Sequence, residues 1–139
     1  LQGLQAGELV LPRPNAREPF IDVDDLASVA VASLTNPALK NQVLEVTGPE
    51  LLSFEECVHA IAAATGREIR FTPLPVEAYL DGARALGMAD DMAWLINELF
   101  VNILDGRNES TTQTVEEVLG RPARRFRDYV TDVVPTGVW

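Results

Sequence analysis

Hydrophobic residues fall in short bursts over the first half of the chain and in longer helical stripes over the second. Leu9-Val10-Leu11, closed by Pro12 and Pro14, predicts a brief strand and a turn. Arg17-Glu18-Pro19 leads into Phe20-Ile21-Asp22-Val23, which predicts a second short strand. Asp24 is then placed to cap a helix, because its carboxylate can accept the free N–H groups of the following turn. Leu26, Val29, Ala30 and Leu34 recur at helical spacing, so a helix over 25–34 buries one face and ends at Asn36-Pro37. Val43, Leu44 and Val46 predict a strand over 42–47, stopped by the turn residues Gly48-Pro49.

Ser53-Phe54-Glu55-Glu56 reads as a capping box, and the helix it opens carries Cys57, Val58 and Ile61 on one side before stopping at Gly66. The alternating Ile69 and Phe71 predict a third strand over 67–73, and Pro75 opens a helix that Gly87 ends. The segment 88–104 has the strongest amphipathic pattern, with Met92, Leu95, Ile96, Leu99, Phe100, Ile103 and Leu104 in one apolar stripe. Thr114-Val115-Glu116-Glu117 repeats the capping-box pattern. Phe126, Tyr129, Val130 and Val133 mark a final helix, and Trp139 is expected to pack back onto the body as an anchor for the C-terminal end.

Strands alternating with helices argue for an α/β fold rather than a bundle. Short strands separated by helices of ten or more residues cannot pair as hairpins. They must join a parallel or mixed sheet, and three or four of them are too few to complete one.

Composition adds bounds. A chain of 139 residues, 47% hydrophobic and 23% charged, fits one domain with a real core. The net charge of −10 opposes binding to nucleic acid or to anionic lipid, which needs clustered Lys and Arg. The one basic cluster, the four arginines from Arg121 to Arg127, is balanced by Asp128 and Asp132 and reads as a solvated surface. A single cysteine excludes an internal disulfide, provides no metal-binding spacing and fits a reducing, cytoplasmic compartment. No run reaches the length of a membrane span, and the start at Leu1 suggests a chain that begins inside a longer reading frame.

Candidate chemistry is sparse. Asp22, Asp24 and Asp25 are better explained as helix-capping and first-turn residues than as a metal or acid–base cluster, although Asp22 could fix a nearby loop. His59 has no nucleophile or metal partner at a recognisable spacing and reads as a surface residue, whereas Cys57 reads as a small core residue. Neither Tyr79 nor Tyr129 is followed four residues later by a lysine, and no glycine-rich phosphate loop occurs.

The order of several blocks carries a resemblance: Gly7 to Pro12, Phe20 to Ala27, Leu44 to Glu50, Ala62 to Ile69, Ile103 to Asn108, Leu119 to Pro122 and the closing Thr136-Gly137-Val138-Trp139. Together they resemble the C-terminal half of NmrA-like proteins, an atypical branch of the short-chain dehydrogenase/reductase superfamily. The resemblance implies that residues 1–139 form one domain: the last part of a Rossmann-like doubly wound sheet with a helical substrate lobe. NADP or NAD is then bound through an N-terminal half that these residues do not include, and no cofactor-binding residue is assigned here. The implied function is to hold a small aromatic, carbonyl or quinone-type substrate for an NAD(P)H-dependent oxidoreductase. Phe20, Met92, Trp94 and Phe100 are the candidate substrate contacts. Two alternatives belong to other classes: a non-catalytic NAD(P)-linked redox sensor or interaction module, and a freestanding domain that binds a ligand or dimerises through the 88–104 stripe. A homodimer or a complementing N-terminal segment would finish the sheet.

Overall fold

A computed structural model describes residues 1–12 and 16–139; the turn assigned to Pro14 lies outside them. Helix α1 (Gln2–Ala6) ends at Gly7, whose φ of 88° is left-handed, and turns directly into strand β1 (Glu8–Pro12). Then follow α2 (Val23–Thr35), α3 (Phe54–Thr65), strand β2 (Arg70–Leu74), α4 (Val76–Ala85), α5 (Asp90–Glu98), a π-turn segment (Leu99–Ile103), α6 (Thr114–Leu119) and α7 (Phe126–Val133). β1 and β2 pair in parallel, Glu8 opposite Arg70 and Pro12 opposite Leu74. The connection between them passes through α2 and α3, as a parallel pair requires.

The core sits where α1, α3 and α7 meet this sheet. Leu4, Val58, Ile61, Ile69 and Val130 are buried together, and Leu9, Phe71, Phe126, Tyr129 and Trp139 close over them. Trp139 therefore anchors the C-terminal end, its ring edge-on to Tyr129 at 6.3 Å. The capping box of α3 forms as the sequence predicts: the Glu56 amide donates to Ser53 Oγ and the Ser53 amide to Glu56 Oε2. Gly66, at φ 65°, ends the helix.

Four local expectations are corrected. Asp22, not Asp24, caps α2, so the helix begins at Val23 and leaves 20–22 irregular instead of a strand. The segment 42–47 is likewise not a strand, because no neighbouring strand among the described residues offers it a ladder. Its Glu45 carbonyl instead accepts from the hydroxyls of Thr112 and Thr114, at 3.0 and 2.6 Å. That contact also removes the second capping box, since the Thr114 hydroxyl faces Glu45 and α6 has no side-chain cap. Finally, 88–104 is not one buried-faced helix. It breaks after Glu98, and of its apolar residues only Ala93 and Leu104 are buried; Met92, Trp94, Leu95, Leu99, Val101 and Ile103 are exposed. An amphipathic stripe is buried only where a second surface meets it, and here α4 covers just one side.

Candidate functional site

Gly48 positions one wall of the site. Its amide donates to the Pro19 carbonyl, and Glu18 and Leu52 exchange both backbone hydrogen bonds beside it. The two chains approach so closely that a Cβ on Gly48 would lie 1.8 Å from the Phe20 carbonyl oxygen. Only glycine permits this contact, which holds Phe20 and Ile21 in place ahead of α2.

The opposite wall is the loop entering α7, and two aspartates fasten it. Asp22 accepts the Asp24 amide on one carboxylate oxygen and the Arg124 guanidinium, at 2.9 Å, on the other. Asp25, almost fully buried, accepts the Arg124 backbone amide at 2.7 Å and pairs with Arg121 at 2.6 Å. Arg124 also pairs with Asp132 and lies over the Tyr129 ring, 5.6 Å from its centroid. The arginine cluster is therefore only in part the solvated surface that its spacing suggests: Arg125 and Arg127 are exposed, whereas Arg121 and Arg124 pair with buried carboxylates. Burial of such charges is tolerated only when each is paired and hydrogen-bonded.

Between these walls lies a cleft of ≈ 250 Å³, lined by Phe20, Ile21, Asp22, Val23, Arg124, Arg125, Phe126 and Tyr129. Phe20 and Phe126 are 6.1 Å apart, and Phe20 meets Phe54 edge-on at 5.5 Å. Behind them Phe54 reaches Phe100 at 6.1 Å. Of the four predicted substrate contacts, Phe20 lines the cleft and Phe100 stands behind it through Phe54. Met92 and Trp94 lie on the open face of α5 and do not join it. Phe126 and Tyr129 read as core positions in the sequence, and a distance of more than a hundred residues hid their approach to Phe20.

A second, larger and more polar groove of ≈ 660 Å³ opens on the other side of Phe126, where Glu50, Glu56, His59, Arg127 and Asp128 contribute and Arg125 is shared with the cleft. His59 is exposed in it, as its sequence surroundings predict. Glu56 is engaged by Arg17 at 2.8 Å. Cys57 is buried, and desolvation, with Glu56 and Glu50 adding, pushes its thiol up to about 12. Its thiolate is the reactive form, so this residue is inert at neutral pH.

The first cleft has the aromatic lining to hold a flat apolar molecule. It cannot by itself move a proton efficiently, because both Asp22 oxygens are engaged and no base stands beside a nucleophile there. Nor do these residues fit a dinucleotide. Gly7, Gly66, Gly120 and Gly137 all serve helix C-termini, whereas a pyrophosphate cradle needs glycines before a helix N-terminus. Among the described residues no cluster of His, Cys, Asp and Glu is able to hold a metal ion, and no helix is long and apolar enough to cross a membrane.

No family model matches the chain. Individual proteins do. It is 35% identical over 125 residues to the NAD(P)H azoreductase of Xenophilus azovorans, an alignment covering 90% of this chain and 44% of the relative. It is 32% identical over 114 residues to the agroclavine dehydrogenase of Claviceps fusiformis, covering 82% of the chain and 39% of the relative. Among solved structures, the triphenylmethane reductase of a Citrobacter species superposes with a TM-score of 0.80 at 14% identity, over 96% of this chain and 46% of the reductase. An NADPH complex of a quinone oxidoreductase from Escherichia coli gives a TM-score of 0.82 at 14% identity, over 95% and 47%. The chain thus spans somewhat under half the length of these proteins.

Proposed function

We propose that this chain, which corresponds to the C-terminal portion of NmrA-like NAD(P)-binding reductases, supplies the substrate-holding part of an NAD(P)H-dependent oxidoreductase. Its substrates are small planar electrophiles of the quinone, azo or conjugated carbonyl class. The observation that carries this reading is the aromatic cleft between Phe20 and Phe126, built by the Asp22–Arg124 pair. Phe20, Phe126 and Tyr129 offer ring faces and edges to a flat molecule, and offset or edge-to-face contacts between aromatic rings add about 0.5–1.5 kcal/mol each beyond area burial. The names of the sequence relatives and of the solved structures support the reaction class. The dinucleotide is assigned to residues outside this chain, and when bound there it supplies the reducing equivalents.

The division of labour follows from the residues. Asp22 and Asp25 are positioning residues: they fix the 121–125 loop, and with it the Phe126 wall. Phe20 and Phe126 exclude water and set the plane of the bound ring. The test is turnover by the protein translated from the full reading frame that encodes these residues, assayed with NADH and NADPH against a panel of quinones, azo dyes and aldehydes. The reading predicts consumption of at least one reduced dinucleotide with a planar acceptor, and a KM for that acceptor raised about tenfold by Phe126→Ala. Failure to bind either dinucleotide overturns it. Binding without consumption across the panel replaces it with the redox-sensor reading.

A further inference from the structure

Arg125 and Arg127 are the two arginines of the cluster with no ion pair among the described residues, and of the two only Arg125 lines the aromatic cleft. Arg121 is committed to Asp25, and Arg124 to Asp22 and Asp132, so those two charges are neutralised within the protein. Arg125 has no ion-pair partner among the described residues, although the chain carries 21 acidic side chains and a net charge of −10. It contributes to the wall of the aromatic cleft beside Phe126 and also lines the polar groove that holds Glu50, Glu56 and Asp128.

Asp22 and Arg124 also line the cleft but pair with each other, so Arg125 is its one cation without an ion pair among the described residues, and beside the rings of Phe20, Phe126 and Tyr129 it defines a two-part recognition surface. Aromatic faces take a planar ring, and a planar fork of N–H donors takes an oxyanion at its edge. Asp22, the carboxylate in the same cleft, does not compete for Arg125, because both of its oxygens are occupied by the Asp24 amide and the Arg124 side chain. The overall negative charge gives an anionic ligand no long-range attraction, so any preference for one arises at short range, from this contact.

We propose that the cleft selects planar aromatic molecules bearing an acidic oxygen substituent, a sulfonate or carboxylate, and that Arg125 is the residue that reads the acid. This rests on the substrate-cleft reading above and narrows its substrate class. The test compares two redox-inert probes that differ only in the acid: 2-naphthol and 6-hydroxynaphthalene-2-sulfonate, titrated into the protein and followed by their fluorescence. The sulfonate binds about tenfold more tightly than the naphthol in low salt, the scale of one charge-assisted hydrogen bond at a partly solvated site. The difference shrinks as salt is raised. Arg125→Gln lowers the sulfonate to the affinity of the neutral probe. Arg127→Gln, in the polar groove and outside the cleft, leaves both affinities as they were, and an unchanged thermal midpoint shows that each variant is folded. Equal affinity for the two probes, or a preference that survives Arg125→Gln, overturns the assignment while leaving the substrate-cleft reading in place. Binding of neither probe overturns both.

Discussion

At the scale of single residues, the aspartates around α2 illustrate how a carboxylate becomes structural. Asp25 uses its two oxygens differently, one for Arg121 and one for the Arg124 amide, which makes the consequences of substitution separable. Asp25→Asn keeps an acceptor for the amide and loses only the pair with half-exposed Arg121, so the expected cost is about 1 kcal/mol. Asp25→Ala leaves the amide without its partner and is expected to cost about 2–3 kcal/mol; urea unfolding of the two variants measures the difference. Cys57 gives a second check. With its thiol pushed up to about 12, roughly one molecule in ten thousand carries the thiolate at pH 8. Alkylation by iodoacetamide is therefore expected to be slow in the native protein and fast in urea, and comparable rates in both would contradict the burial described here. The roles of Asp22 and Asp25 as cap and first-turn residue are local, and the sequence shows that this acidic turn starts a helix. Their arginine partners lie about a hundred residues away, and no spacing rule connects such positions, so the arginines read as solvated until the fold brings them together.

At the scale of elements, what was legible depended on whether a motif closes on itself. The Ser53–Glu56 box satisfies its own donors within one turn, and it forms as read; Ser53→Ala is expected to cost about 1 kcal/mol of stability. The Thr114 box has the same letters and does not form, because the Glu45 carbonyl competes successfully for the hydroxyl. The apolar residues Val43, Leu44 and Val46 report a strand-like sequence over 42–47, but a strand exists only with a neighbour, and the same holds for the stripe over 88–104 and a covering surface. The exposure of that stripe makes a spectroscopic prediction: Trp94 is quenched by iodide, whereas Trp139, packed on Tyr129, is protected. The junction of Gly48 with Phe20 is the most constrained contact between segments. Gly48→Ala places a methyl carbon inside the Phe20 carbonyl, so a variant that folds must displace the Phe20 wall. Its expected signature is loss of aromatic-probe binding together with a lowered thermal midpoint.

At the scale of the whole molecule, the α/β class was readable from alternation alone, whereas the site was not. The cleft joins segments from the first quarter and the last seventh of the chain, and its four anchoring charges, Asp22, Asp25, Arg121 and Arg124, read individually as ordinary surface, capping or first-turn residues. The proposed function treats substrate holding and dinucleotide binding as separate tasks. The described residues form an aromatic cleft, and Gly7, Gly66, Gly120 and Gly137 serve helix ends rather than a phosphate cradle. The most direct test of that separation is an NMR titration of the 139-residue chain with NADPH and, separately, with 6-hydroxynaphthalene-2-sulfonate. The account predicts no shifts with NADPH, and with the naphthalene sulfonate saturable shifts at Phe20, Ile21, Arg125, Phe126 and Tyr129. Saturable NADPH binding to the chain, or aromatic-induced shifts confined to the exposed face of α5 around Trp94, would contradict it.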